Sequence, residues 1–311
     1  MAALVSEPPG PAGFHAPTIS DAELAHFREH GYCFLGRCAP LADIEALGAR
    51  IDELMLGAGA DYPRMMMSVC PSETGSWDHP ATRQTEGFKY PTLGYRKIQG
   101  LEEDAVFRSW VRHPLWRDVT RHVIGEHVGI NRAMYFAKPA ATEGVRIDWQ
   151  CVHDAASALQ CRAPAPACLI LAYPCMPHHA LPCSQDNSGD QGLQAVTVWT
   201  ALDKTTLENG CLQISPGTHK LGKIEFGSTT SNDPTLPPER EDELTARKIY
   251  LPMEKGETVL LNNLMLHRSD ANKSGKPRRG FSVWYTAAQP RLAQVFPEYV
   301  PRPDNDAAAR L

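Results

Sequence analysis

The stretch from Gln194 to Tyr285 constrains the fold more than any other part of the chain. It reads QAVTVWTALDKTTLENGCLQISPGTHK and, after a polar segment, GETVLLNNLMLHRSDANKSGKPRRGFSVWY. Val196 and Val198, Leu212 and Ile214, Val259 and Leu261, Phe281 and Val283 alternate with their neighbours in short runs bounded by Gly, Pro and Asn, which is the pattern of half-buried strands joined by turns. Gly-Glu-Thr before Val259 and Asp-Ala-Asn-Lys-Ser-Gly after His267 are turn chemistry. The polar, Pro- and acid-rich residues 225–246 read as a loop.

Ahead of this β-rich half the periodicity is helical. Ser20 and Glu23 make a capping-box pattern that Gly31 can close. Tyr32 to Leu35 reads as a strand, and Leu41, Ile44, Leu47, Ile51 and Leu54 recur at helical spacing. Two more helices are expected near 103–112 and 115–126, and a strand over Asn131 to Pro139. Helices followed by an antiparallel meander point to a mainly β fold with flanking helices, a double-stranded β-helix of the jelly-roll or cupin-like kind. The expected division is a disordered tail over 1–17, one domain over 18–290 and a C-terminal tail over 291–311. The 311 residues suffice for a substantial core.

His267 ends an apolar run, and Arg278 follows it on the next β-rich run. Two histidines and a carboxylate on one face of a metal leave positions open for a co-substrate and O2. A guanidinium beyond them can grip a carboxylate with two parallel hydrogen bonds, which an ammonium cannot. Taken singly each residue has a plainer reading: His267 as an exposed turn histidine, Arg278 as a surface residue beside Arg279, Asp186 as a solvated turn aspartate. Of the adjacent arginines only one can face inward.

VTVWTALDKTTLENGCLQISPGTHK and HRSDANKSGKPRR together resemble the phytanoyl-CoA dioxygenase family, Fe(II)- and 2-oxoglutarate-dependent oxygenases, and the likeness covers nearly all of 18–290. The resemblance implies Fe(II), 2-oxoglutarate as co-substrate, O2, and hydroxylation of a small-molecule or acyl-CoA, lipid-derived substrate. It makes His267 the distal iron ligand, Arg278 the binder of the 2-oxoglutarate carboxylate, Ser269 an assistant to that contact and Trp199 a wall of the pocket. Lys97 in GYRKIQGLEED and Met134 in AMYFAKPA match further co-substrate contacts. Gln185 and Asp186 match the end of the family's His-Gln-Asp, with Asp186 the carboxylate ligand. His219 reads as structural.

The first histidine of that motif falls on Ser184, a poor iron ligand. His179 or its neighbour His178 stands in for it on one reading, His153-Asp154 on another, and nothing on a third. The segment between Pro139 and Val196 is longer than the family allows, and five cysteines cluster there (Cys151, Cys161, Cys168, Cys175 and Cys183). An atypical insert over about 145–185 is therefore expected, either a genuine loop or translated non-coding sequence. Two rivals to the oxygenase are a catalytically impaired jelly-roll binding protein and a cupin-like metal isomerase.

A net charge of -5 argues against a general nucleic-acid partner. No apolar run reaches the roughly 18 residues of a membrane span. Nine cysteines, an odd number with no CxxC pair, fit a reducing compartment and not a zinc site. Ala309-Arg310-Leu311 is a variant of the Ser-Lys-Leu address; it reads as a contact for a peroxisomal import receptor if the source is eukaryotic, and otherwise as a frayed tail on a cytoplasmic protein.

Overall fold

The computed structural model describes residues 19–58, 65–76, 78–125, 128–140, 147–150, 195–222, 224 and 238–287, with the backbone alone for 147–150. Six helices are present among them: α1 (Asp21–His30), α2 (Leu41–Met55), α3 (Pro71–Thr74), α4 (Ala105–Val111), α5 (Pro114–Ile124) and α6 (Pro238–Thr245). The strands are β1 (Tyr32–Arg37), β2 (Met66–Val69), β3 (Thr85–Glu86), β4 (Tyr95–Gln99), β5 (Val128–Lys138), β6 (Ile147–Gln150), β7 (Ala195–Ala201), β8 (Leu212–Ile214), β9 (Ile249–Leu251), β10 (Glu257–Asn262), β11 (His267–Ser269) and β12 (Arg278–Ala287).

They form two antiparallel sheets. The larger runs β1-β10-β7-β12-β5-β4-β2-β3 and the smaller β6-β11-β8-β9. Side chains alternate faces along each strand, and two apolar clusters follow from that alternation. Val196, Val198, Phe281, Val283 and Tyr285 point outward from the large sheet onto α2, α4 and α5. There Phe107 meets Phe281 at 5.2 Å and the Tyr285 hydroxyl donates to the Val111 carbonyl. The intervening residues Trp199, Ala201, Val259 and Leu261 point the other way, onto Leu212, Ile214 and Leu251 of the small sheet. The space between the sheets is the interior of a jelly roll.

The helical flank forms as its sequence dictates. The Ser20 hydroxyl accepts from the Glu23 amide while the Glu23 carboxylate takes the Ser20 amide, and Gly31 closes α1 at φ 81°. In α2, Ile44, Leu47, Ile51 and Leu54 are all buried, each contributing about 1.5–3 kcal/mol of burial. His219 is structural as read: its Nε2 lies 3.1 Å from the Arg28 carbonyl oxygen, against the end of α1.

Two expectations need correction, and one strand appears for which none was stated. The polar segment 225–246 contains α6, whose Leu244 is buried and whose carbonyl accepts from the Ser215 hydroxyl. Tyr95–Gln99 is a strand although its Tyr-Arg-Lys-Ile-Gln sequence carries too little apolar alternation to show it. His267 does not end the apolar strand before it. β10 stops at Asn262, whose side chain accepts from the Leu264 amide and whose carbonyl accepts from the Met265 amide, and the chain crosses to the small sheet, where His267 opens β11.

Cys33, Cys38, Cys70 and Cys211 are unbridged and buried. Burial pushes the Cys33 and Cys38 thiols up to about 12 and the Cys211 thiol to about 11. A thiol so shifted carries almost no thiolate near neutrality. Alkylation of the folded chain at pH 8 with peptide mapping is expected to leave these three unmodified, and labelling them as fast as in urea would contradict the packing.

Candidate active site on the inner face of the large sheet

The registers place the inner face residue by residue. Arg278, Gly280, Ser282 and Trp284 of β12 lie across from Lys138, Phe136, Met134 and Arg132 of β5. Trp199 of β7 lies across from Ser282. Lys97 and Gln99 of β4 lie across from Phe136 and Met134, and Ser68 of β2 across from Lys97. Directly opposed residues share a face, so Lys97, Met134, Trp199 and Arg278 occupy one surface. Its β1-β10-β7 side is apolar; its β12-β5-β4 side carries Lys97, Arg132, Lys138 and Arg278.

The adjacent arginines divide as strand geometry demands. Arg279 points outward and meets Asp203 through two contacts of 2.9 Å, with Asp52 at 3.2 Å. These partners hold its charge firmly. Arg278 points inward and is 3% exposed. Its Nε and Nη2 donate to the Gly210 carbonyl at 3.1 and 2.8 Å, and its guanidinium carbon sits 5.9 Å from the Trp199 ring centroid. Among the described residues no carboxylate pairs with it. Burial therefore lowers its pKa to about 10, which leaves it charged near neutrality. A buried cation without an anion is costly, and an incoming carboxylate relieves that cost.

Lys138 joins the two sheets below this point. It is 1% exposed and its ammonium donates to the Ser269 carbonyl at 2.9 Å and to the Asp270 carbonyl. Ser269 and His267 share a face of β11, and they lie across β8 from Leu212 and Ile214, which are interior residues. His267 thus faces the interior, while Arg268 faces out to Gln213 and Glu241. The His267 Nδ1 lies 3.1 Å from the Met265 carbonyl, so with the proton on Nδ1 the Nε2 lone pair is left for a ligand. Burial lowers its pKa, favouring the neutral, ligating imidazole. Part of its surface stays accessible despite this depth.

The cationic face fits an anionic co-substrate beside the single histidine ligand His267. The buried hydroxyls of Ser68 and Ser282 and the indole N–H of Trp284, all on this face, find no hydrogen-bond partner among the described residues. No cluster of three or more His, Cys, Asp or Glu stands among the described residues. His153, Asp154, His178, His179, Ser184, Gln185 and Asp186 lie outside them. The structure brings Lys97, Met134, Trp199, Ser269, His267 and Arg278 to one interior.

Sequence reasoning missed Lys138, Gly210 and Gly280. Lys138 was legible as i, i+2, i+4 from Met134 once β5 was placed. The glycines had no signal short of the packing. A Cβ on Gly280 would lie 2.4 Å from the Trp199 ring, so Gly280→Ala is expected to push Trp199 off Arg278. With 2-oxoglutarate held where the family resemblance puts it, the expected result is binding weakened roughly tenfold, about 1.4 kcal/mol, with the fold retained. An unchanged affinity would show that Trp199 does not shape the pocket.

A phytanoyl-CoA dioxygenase (PhyH) family model matches residues 27–280. A phytanoyl-CoA dioxygenase domain-containing protein 1 homolog of Caenorhabditis briggsae is 31% identical over 93 residues, 28% of this chain and 32% of that protein. The peroxisomal phytanoyl-CoA dioxygenase of Homo sapiens is 32% identical over 96 residues, 30% of this chain and 28% of that one. These alignments span less than a third of the curated relatives' length. Similar solved structures cover far more: EctD from S. alaskensis with bound Fe superposes at TM-score 0.57 with 18% identity over 88% of this chain and 78% of its own. The carbocyclase SnoK from nogalamycin biosynthesis gives 0.57 with 15% identity over 89% and 87%. With the family model running from α1 into β12 and the jelly-roll interior in place, the chain belongs to the phytanoyl-CoA dioxygenase family.

Proposed function

We propose that this protein is an Fe(II)- and 2-oxoglutarate-dependent dioxygenase that hydroxylates an anionic small molecule such as an acyl-CoA or another lipid-derived acid. The observation that carries the reading is Arg278: a buried guanidinium on an interior face, without a carboxylate partner among the described residues and stacked near Trp199. His267 and Asp186 would hold the iron, Asp186 on the strength of the family motif. Arg278 would hold the distal carboxylate of 2-oxoglutarate, with Lys97, Met134, Gln185, Trp199 and Ser269 around it. When bound, iron and 2-oxoglutarate would activate O2, one oxygen atom going to the substrate hydroxyl and the other to succinate as 2-oxoglutarate loses CO2. The chain's own part is positioning: Gly210 and Trp199 hold Arg278, Lys138 ties β5 to β11, and the apolar side of the interior keeps water out. Related structures include EctD crystallised with 2-oxoglutarate and 5-hydroxyectoine, which supports an oxygenase while leaving the substrate class to the cationic inner face.

Thermal unfolding of the 311-residue chain with excess Mn(II) tests the reading. Addition of 2-oxoglutarate at about 100 times its Kd should stabilise the fold by about 2.7 kcal/mol. Loss of that shift in Arg278→Ala is the expected result. An equal shift in Arg278→Ala would overturn it.

A further inference from the structure

Strand β6 ends at Gln150, and its register sets Gln150 directly across from His267 on β11. Opposed residues of an antiparallel pair share a face, with Cβ atoms about 4.5–5.5 Å apart. Position 150 is therefore the one that β6 sets opposite His267, and along a strand a residue two positions further on returns to the same face. A glutamine amide is a weak ligand for iron, and in this chain the next residue is Cys151, not the Gln185-Asp186 pair.

The genetic code links these positions. Gln150-Cys151-Val152, with the glutamine codon CAG, reads CAG-TGY-GTN and contains GTGYGT, the form of an intron donor. Cys183-Ser184, with a serine codon AGY, reads TGY-AGY and contains YAG, the form of an acceptor. Leu181-Pro182 before it, with a CTN leucine codon, read CTN-CCN, a pyrimidine-rich lead-in. Joining the first two bases of codon 150 to the last base of codon 184 gives CAY, which is histidine whichever pyrimidine is present. The stretch removed is a whole number of codons, so the frame continues into Gln185-Asp186.

We infer that residues 151–183 are translated from a retained intron, and that its removal places a histidine at position 150, across from His267, with Asp186 two positions behind it. The inference rests on the proposed metal site and adds its regulation: splicing decides whether the chain carries two histidines and a carboxylate or lacks the first histidine. It also explains why five of the nine cysteines fall between 151 and 183. His179, the other candidate, is too far from Asp186 to share its strand face as an i, i+2 pair.

The test has two arms. Genomic DNA and transcripts are sequenced across codons 140–195. In parallel, Co(II) is titrated into three proteins: the 311-residue chain, the chain lacking 151–184, and that shortened chain with Gln150→His. The expected result is a transcript without the stretch, and Co(II) binding to the Gln150→His form at least ~100-fold tighter than to the other two. A CAA codon at 150, a TCN codon at 184, the absence of any shortened transcript, or equal Co(II) affinities in folded proteins would overturn the inference. If the shortened chains do not fold, the transcripts decide. Tight Co(II) binding in the Gln150→His form, with 2-oxoglutarate binding indifferent to Arg278→Ala, would refute the proposed function and leave this inference standing.

Discussion

Arg278→Lys is expected to weaken 2-oxoglutarate binding by about two orders of magnitude, about 3 kcal/mol, while the chain stays folded. Lysine brings the same charge but not the fork. Arg278 spends Nε and Nη2 on the Gly210 carbonyl and keeps the remaining edge for a carboxylate, an arrangement a single ammonium cannot reproduce. Arg278→Met separates binding from stability. Replacing a buried, unpaired charge by an apolar group of similar length is often neutral or stabilising, so the methionine variant should unfold within about 1 kcal/mol of the parent yet show no 2-oxoglutarate response. Calorimetric titration beside thermal unfolding reads both quantities. A lysine variant that binds as tightly as the parent would remove Arg278 from the site.

Gly210→Ala is the second large effect. Gly210 has φ +78°, and a Cβ there would lie 2.2 Å from the Asp270 carbonyl oxygen and 3.3 Å from the Lys138 ammonium. A left-handed backbone costs a non-glycine residue about 1–2 kcal/mol, and the clash is with backbone, which cannot swing away. The expected loss is about 3 kcal/mol, a Tm fall on the order of 10 °C. The same substitution displaces the carbonyl that orients Arg278, so 2-oxoglutarate affinity should fall with stability. A variant of parental Tm would mean that the turn holding Gly210 relaxes without cost.

The two effects explain what the sequence could and could not show. Strands β7, β10 and β12 were legible because their outer face packs on helices and their inner face closes the barrel, so apolar residues recur with period two. β4 was not, because Arg96 and Lys97 break the apolar alternation and Lys97 takes an inner-face position opposite Phe136. α6 hid in the polar segment because Leu244 is the one buried apolar side chain among its described residues. Arg278 and His267 could be named from their wording, but which of Arg278 and Arg279 points inward depends on β12's register against β5. The supports, Lys138, Gly210 and Gly280, emerge only from the approach of two sheets, an event no local pattern records. The position that opposes His267 was the least legible of all. The register of β6 sets Gln150 opposite His267, a pairing that no local pattern in the sequence records.

In the proposed site the inner face around Arg278 binds 2-oxoglutarate beside an iron held by His267. Its most direct test is an anaerobic titration with Fe(II) and 2-oxoglutarate, following the visible absorption band of the chelate, in the full chain and in the chain lacking 151–184 with Gln150→His. A saturable band in the shortened chain that disappears in Arg278→Ala and in His267→Ala is the expected result. A folded shortened chain with no band, or with the same band after either substitution, would contradict it.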